Sequence, residues 1–179
     1  MIQPSGHGGP RVGAVIAIAS IQVLALALWA GGLVTLGAVV APIVFHTVPA
    51  PTSADAMTLV FARFDKVTIV CGAIALVAEA TLALRGGKVE RADVVRMVGL
   101  VVAVGLAITI AAWLTPGIAG LHAGGAVRGF GPAGLELERL HKTAEALAKG
   151  ELAFLLLVVV LSIRKVSRAA RGLAEGSRS

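Results

Sequence analysis

A single acidic residue interrupts an otherwise uncharged stretch of this sequence. Glu79 lies in the apolar run 67–84, and a carboxylate in hydrocarbon is costly unless it faces a partner, a bundle interior or a water path. Two interpretations follow: a site for a proton or cation, or a hydrogen-bonded glutamate that holds helices together. The residue also lies close enough to Arg85 to reach toward the membrane interface. Gln22, one heptad before Trp29, is a second intramembrane polar candidate and can hydrogen-bond across helices.

A second group of residues has the chemistry of a metal site. Glu138, His141 and Glu145 are three and four residues apart, so they share one face of a helix, and carboxylate and imidazole bind metals in helical bundles. We predict a site of His46, His141 and Glu145, with His122 expected at the same membrane face. The alternative is a solvated face with salt bridges, because basic residues alternate with the acidic ones: Arg139, Lys142 and Lys149.

The sequence contains no motif of a known catalytic class. A Walker loop, a catalytic triad, a CxxC pair and an HExxH helix are all missing, so no catalytic residue is predicted and we expect a non-enzymatic role. Cys71 is the single cysteine, which excludes an intrachain disulfide. The net charge of +6 does not indicate nucleic-acid binding, because neither an aromatic platform nor a basic groove accompanies it.

Four long apolar runs must position these residues. Hydrophobic residues make up 57% of the chain and the mean hydropathy is +0.90, and about 20 apolar helical residues cross a bilayer core. Backbone amides in hydrocarbon require a helix or a barrel, and the runs do not alternate as barrel strands do. We predict an all-α polytopic membrane protein, a bundle of four transmembrane helices spanning approximately 13–44, 67–84, 96–115 and 147–164.

The segments between and beyond the spans are also predicted. We expect a flexible N-terminal tail over 1–11, a transmembrane domain over 12–165 and a basic C-terminal tail over 166–179. Within the domain, prolines and glycines predict loops over 46–56 and 85–96 and an irregular segment over 117–134. The third helix is expected to stop at Pro116, residues 57–66 to lie at the interface and continue into the second helix, and the last helix to begin at Leu135.

Two stripes of small residues recur every four positions, on the first and third predicted helices. Such stripes permit close helix packing in lipid, either within the bundle or between two copies, and the sequence leaves both uses open. They are Ala27, Gly31 and Thr35, and Gly99, Ala103, Ala107 and Ala111.

The distribution of basic residues predicts the orientation. With four spans, the side holding both termini and the 85–96 loop carries ten basic residues, against six on the other side. Cytoplasmic loops collect Lys and Arg, so we expect both termini in the cytoplasm and the protein in a bacterial inner membrane.

Four short motifs resemble those of a known family. They are LWAGG at 28–32, APIVF at 41–45, FARFD at 61–65 and LH at 140–141, and together they resemble the transmembrane protein 205-like family, a four-helix membrane domain of unknown function. The first helix also resembles, more distantly, copper resistance D-like membrane proteins and a haem-associated protoporphyrinogen oxidase group. These resemblances imply a metal or haem role, whereas the spans here carry no deep histidine.

Three functional hypotheses remain, the third of which is a haem-linked oxidoreductase. The leading one is a non-enzymatic accessory or interaction component of the membrane, in contact with lipid and, through its small-residue faces, with a second copy or another membrane protein. The alternative is transport or metal handling, of copper or haem, through a polar site in the bundle. No cofactor is strongly indicated.

Overall fold

The computed structural model describes residues 9–85 and 90–176, and within them the regular structure is helical. The elements follow in chain order: α1 (Gly9–Thr35), a π-helical segment (Leu36–Val40), α2 (Ala41–Thr47), α3 (Thr52–Arg85), α4 (Arg91–Thr109), a second π-helical segment (Ile110–Leu114), α5 (Thr115–Ala123) and α6 (Gly131–Gly176). The all-α prediction is confirmed.

Four continuous helices are long and apolar enough to cross a bilayer: Gly13–Thr47, Thr52–Arg85, Arg91–Ala123 and Gly131–Arg164. Each exceeds the roughly 20 residues that a crossing needs. This length and composition indicate a membrane protein whose outer surface fits lipid. Helix α1 contacts α3 and α6, and α4 contacts the same two neighbours. The four spanning helices therefore form a closed ring in chain order.

The core lies where the four helices converge around Trp29. The indole is fully buried and packs with Leu26, Leu100 and Leu155, which are also fully buried. Small residues let the helices approach: a methyl group added at Gly99 would lie 3.2 Å from Val158. Burial of these side chains between helices fixes which residues face inward.

The two small-residue stripes have different positions. Gly99, Ala103 and Ala107 on α4 are buried and face the neighbouring helices, so this stripe serves packing inside the bundle. The stripe on α1 faces outward. Gly31 is exposed, and a methyl group added there would meet no atom within 4 Å.

The prediction that the third helix stops at Pro116 is wrong. The chain stays helical to Ala123, and Pro116 follows the π-helical segment Ile110–Leu114 by two residues, as Pro42 follows Leu36–Val40. Proline lacks an N–H, and its ring collides with the carbonyl four residues earlier. A wider π turn before the proline accommodates both effects, so the helix continues.

The predicted loops are longer than the observed ones. The irregular segment is limited to residues 124–130 rather than 117–134, and α6 begins at Gly131 rather than Leu135. Gly125 and Gly129 have positive φ angles of 76° and 79°, which glycine adopts without strain and which let this short connection turn. In place of the predicted loop 46–56, only residues 48–51 separate α2 from α3.

The expectations for the charged segments are met in part. As predicted, segment 57–66 runs without a break into the second spanning helix, and its Met57 is buried in the bundle. Arg96, expected in a loop, lies inside α4 and is buried. Residues 1–8, 86–89 and 177–179, with most of the predicted N-terminal tail and Lys88, lie outside the described residues, and α6 continues through most of the predicted C-terminal tail.

Candidate functional site

Glu79 is buried in the bundle and binds a buried arginine. Glu79 is 1% exposed and Arg96 of α4 is 3% exposed. Arg96 Nε donates to the two Glu79 carboxylate oxygens at 2.9 and 2.8 Å, and its Nη2 donates to Oε1 at 2.6 Å. Charge-assisted contacts of this bidentate kind are the stronger hydrogen bonds of proteins. The pair therefore carries no net charge into the bundle.

Two further side chains complete this cluster. Gln22 of α1 donates from Nε2 to Glu79 Oε2 at 2.7 Å, which is the interhelical hydrogen bond that its position suggested. Asp93, one turn before Arg96, forms a salt bridge with it, with Asp93 Oδ1 3.2 Å from Arg96 Nη2. We call Gln22, Glu79, Asp93 and Arg96 the first polar cluster. It joins α1, α3 and α4, and every polar atom of Glu79 has a partner in it.

The start of α4 explains how Arg96 reaches Glu79. Glu90 caps the helix in a reciprocal capping box with Asp93, which fixes the first residue of α4 at Arg91. Arg96 lies five residues after that start, and Glu79 lies six residues before the end of α3 at Arg85. Because antiparallel neighbours joined by a short connection place such positions at one level, the two charges meet. Glu79 and Arg96 thus lie at similar distances along the chain from the segment that joins α3 and α4.

A second buried carboxylate lies on the last helix. Glu151 of α6 is 1% exposed, and its Oε1 accepts a hydrogen bond from Trp29 Nε1 at 2.5 Å. The negative charge of Asp65 on α3 acts on Glu151, and the Thr115 side chain lies beside Asp65. Asp65 Oδ2 is buried and has no hydrogen-bond partner within the described part of the chain. We call Trp29, Asp65, Thr115 and Glu151 the second polar cluster.

This second cluster was not predicted from the sequence. Neither Glu151 nor Trp29 was proposed as a site residue. A signal was nevertheless present, since Glu151 falls four residues before Leu155 and seven before Val158, on the face that the structure buries. Glu151 precedes the aliphatic run 152–161 directly, and that position concealed its burial.

The predicted metal ligands are distributed over several surfaces. His141 on α6 meets His122 on α5, with ring centroids 5.8 Å apart in an edge arrangement. His46 is exposed at the end of α2, and Glu145 is exposed and binds Lys149 at 2.7 Å. Among residues 9–85 and 90–176, no group of three or more His, Cys, Asp or Glu is placed to hold a metal ion. The set of His46, His141 and Glu145 stays a prediction.

The acidic face of α6 carries surface salt bridges. Lys142 binds Glu138 at 2.8 Å, and Arg139 lies 3.6 Å from Glu136. These pairs are three or four residues apart and lie at the surface, so each contributes little to stability. They make the solvated, salt-bridged face that was weighed against a metal site.

Comparison with known proteins identifies a family. The model of a domain of unknown function, DUF4149, matches residues 24–126, which is more than half of the 179 residues. The chain belongs to the DUF4149 family. No curated protein and no solved structure matches it at a significant level.

The DUF4149 match covers some of the residues of each polar cluster. It includes Glu79 and Arg96 of the first cluster, and Trp29 and Asp65 of the second. Glu151 lies beyond it on α6. The matched region therefore supplies the ion pair and the indole donor, while the last helix supplies the acid that this indole binds.

Proposed function

We propose that this DUF4149 protein is a non-enzymatic accessory or interaction component of a membrane. The observation that carries the proposal is the first polar cluster, in which Arg96 and Gln22 satisfy the carboxylate of Glu79. The Glu79 carboxylate accepts a bidentate contact from Arg96, so it is not free to bind and release a proton or another cation. Breaking its contact with Arg96 would leave the guanidinium buried without its main counter-charge. Its role is to fix the relative positions of α1, α3 and α4.

Contact with other proteins is assigned to the outer face of α1. Its small residues, Ala27, Gly31 and Thr35, are exposed and give a neighbouring transmembrane helix close access. The partner is a second copy of this chain or another membrane protein, and no nucleic acid is involved. The opposing stripe on α4 is occupied by packing within the bundle, which leaves α1 as the face for association.

Cysteine cross-linking tests that assignment. Gly31→Cys places a thiol on the outer face of α1, and Gly105→Cys places one on the outer face of α4, where added atoms likewise meet nothing within 4 Å. Cys71 is buried and common to both variants. We expect oxidation in native membranes to give a cross-linked species for Gly31→Cys and none for Gly105→Cys. Equal yields from the two variants would remove α1 as the association face.

A flux assay separates this proposal from transport. Protein reconstituted in liposomes is expected to give no proton or cation flux above that of empty vesicles. A flux that the wild type supports and that Glu79→Gln abolishes would replace the accessory role by a transport role. The assay needs a folded variant, so retention of helical circular dichroism in Glu79→Gln is measured first.

One observation favours a second candidate function, metal handling at the end of the bundle where α5 and α6 meet. The His122 and His141 rings are in contact there, and imidazole binds copper, zinc and haem iron. The more distant copper and haem resemblances of the first helix point to the same chemistry. Elemental analysis and a search for a Soret band in the purified protein test it, with His141→Ala as the variant that must lose any metal found.

The location and kinship of the protein are proposed on similar grounds. Removing the buried Arg96 from the count of basic residues leaves nine against six, which still favours cytoplasmic termini in a bacterial inner membrane. The motifs at 28–32 and 61–65 lie inside the DUF4149 match, and they support a relationship to transmembrane protein 205-like proteins. Labelling of an introduced cysteine, Ala126→Cys, by an impermeant reagent added outside the cell tests the orientation.

A further inference from the structure

The two buried glutamates of the bundle differ in what neutralises them. Glu79 has a buried arginine, whereas the structure gives Glu151 no salt bridge within the described residues, and the Trp29 indole is its hydrogen-bond donor there. An ionised carboxylate in an apolar interior is costly without a cation. One indole N–H does not supply a counter-charge. Something else must therefore neutralise Glu151.

Among the described residues, no basic side chain forms a salt bridge with Glu151. Helix α1 contributes the Trp29 indole, α3 contributes the acidic Asp65, and α5 contributes the Thr115 hydroxyl beside that acid. Helix α4 presents small apolar side chains to this part of the core, and its buried Arg96 is committed to the first polar cluster. On α6 itself, the nearest basic residue, Lys149, is exposed and bound to Glu145.

A second observation concerns the acidic neighbour on α3. Asp65 Oδ2 is buried, and no described donor satisfies it. Among the described residues α3 and α6 do not pack directly on each other, so Asp65 acts on Glu151 through its charge, and a negative charge in the surroundings makes ionisation of a buried carboxyl more costly. One proton held by Glu151 would remove the buried charge that no cation neutralises.

We propose that Glu151 is a proton-binding site inside the bundle, with Trp29 as the fixed donor that orients its carboxyl. Binding adds one proton to a Glu151 carboxylate oxygen and removes its negative charge, without any redox step. This role goes beyond the accessory function, and it concerns a different cluster from the one on which that function rests. Either can fail without the other.

The indole of Trp29 provides the test. The chain has two tryptophans, so Trp113→Phe leaves Trp29 as the only one. We expect the Trp29 emission of this purified variant in choline chloride to change with pH in one titration. Glu151→Gln should abolish the titration. Asp65→Asn should move it to lower pH, because the neighbouring negative charge that favours the proton is gone. Glu145→Gln, an exposed substitution on the same helix, should leave it unchanged.

A second measurement covers the case in which Trp29 emission does not respond to protonation of the site. A protonated carboxyl gives a carbonyl stretching band in the infrared spectrum, and Glu151→Gln should remove it at the pH where the site is occupied. The proposal is overturned if Trp29 emission is constant with pH and this variant leaves that band unchanged. It is equally overturned if the titration survives Glu151→Gln. A shift on replacing choline by sodium at constant ionic strength would show that the site takes a metal cation instead.

Discussion

Breaking the buried ion pair from its two sides is expected to give unequal losses of stability. Arg96→Gln leaves the Glu79 carboxylate buried with Gln22 as its donor, whereas Glu79→Gln leaves the Arg96 guanidinium with Asp93 at 3.2 Å. The second variant thus keeps a partial counter-charge and the first keeps none. We expect Arg96→Gln to cost more of the free energy of unfolding than Glu79→Gln.

The magnitude follows from the geometry of the pair. With nitrogen and oxygen atoms 2.6–2.9 Å apart, the charge centres lie about 4 Å apart, which gives about 4 kcal/mol of attraction at an effective dielectric constant of about 20. Removing one member of a buried pair costs about 3–5 kcal/mol, because the other charge stays buried. We assign about 4–5 kcal/mol to Arg96→Gln and about 3 kcal/mol to Glu79→Gln.

The double variant isolates the interaction. Glu79→Gln with Arg96→Gln removes both charges and retains groups that can hydrogen-bond, so it should cost less than the sum of the single variants by about 2 kcal/mol or more. The assay is reversible unfolding in mixed detergent micelles, followed by far-ultraviolet circular dichroism. Arg91→Gln is the matched control, because it makes the same change at an exposed position of α4, and it should stay within about 0.5 kcal/mol of the wild type.

Two results would refute this reasoning. If both single variants lose less than about 1 kcal/mol, as surface ion pairs do, the pair is not buried in the way described. If the two losses add without coupling, Glu79 and Arg96 do not interact. A larger loss for Glu79→Gln than for Arg96→Gln would contradict the part assigned to Asp93.

Two further predictions concern other contacts and use the same unfolding assay. Trp29→Phe keeps a ring in the core and removes the N–H that binds Glu151, so it should lower the free energy of unfolding by about 1–3 kcal/mol. Trp113→Phe should be near neutral, because that indole is 77% exposed. Equal losses in the two variants would contradict the hydrogen bond from Trp29 to Glu151. Gly134→Ala brings a methyl group against the Val127 carbonyl and should cost about 1–3 kcal/mol. At Gly120→Ala the added methyl group meets no atom within 4 Å, so this variant should instead stabilise α5 by about 0.5–1 kcal/mol. A gain in stability for both glycine variants would refute the close approach of Gly134 to Val127.

The spanning helices could be predicted because hydrocarbon imposes one simple requirement on the sequence. A long apolar run in lipid must be helical, and no tertiary detail changes that conclusion. Helix ends depend on finer effects. Pro116 looked like a terminus because proline removes one hydrogen bond, yet a π turn compensates for that loss locally. The capping box at Glu90 likewise starts α4 at Arg91, so Arg96 lies in the helix and not in the predicted loop.

The first polar cluster was half predictable and the second was not. Glu79 and Gln22 stand out as polar residues inside apolar runs, and their hydrogen bond follows from helices that face each other. Asp65 and Glu151 belong to segments with several charges, where exposure is the ordinary expectation. The burial of Glu151 and of the Asp65 Oδ2 atom depends on how far each helix extends and how it is rotated, and that is fixed by packing around Trp29 rather than by local composition.

Helix α1 links the two clusters. Gln22 and Trp29 are seven residues apart, so they lie on one face about 10 Å apart along the axis, and each donates to a buried glutamate of a different helix. A change in the rotation of α1 would therefore weaken both hydrogen bonds at once. Arg96 holds the Glu79 carboxylate in place, whereas the Trp29 indole is the donor that the described structure gives to Glu151. The same face of α1 thus makes one contact that holds the bundle and one that can report on protonation.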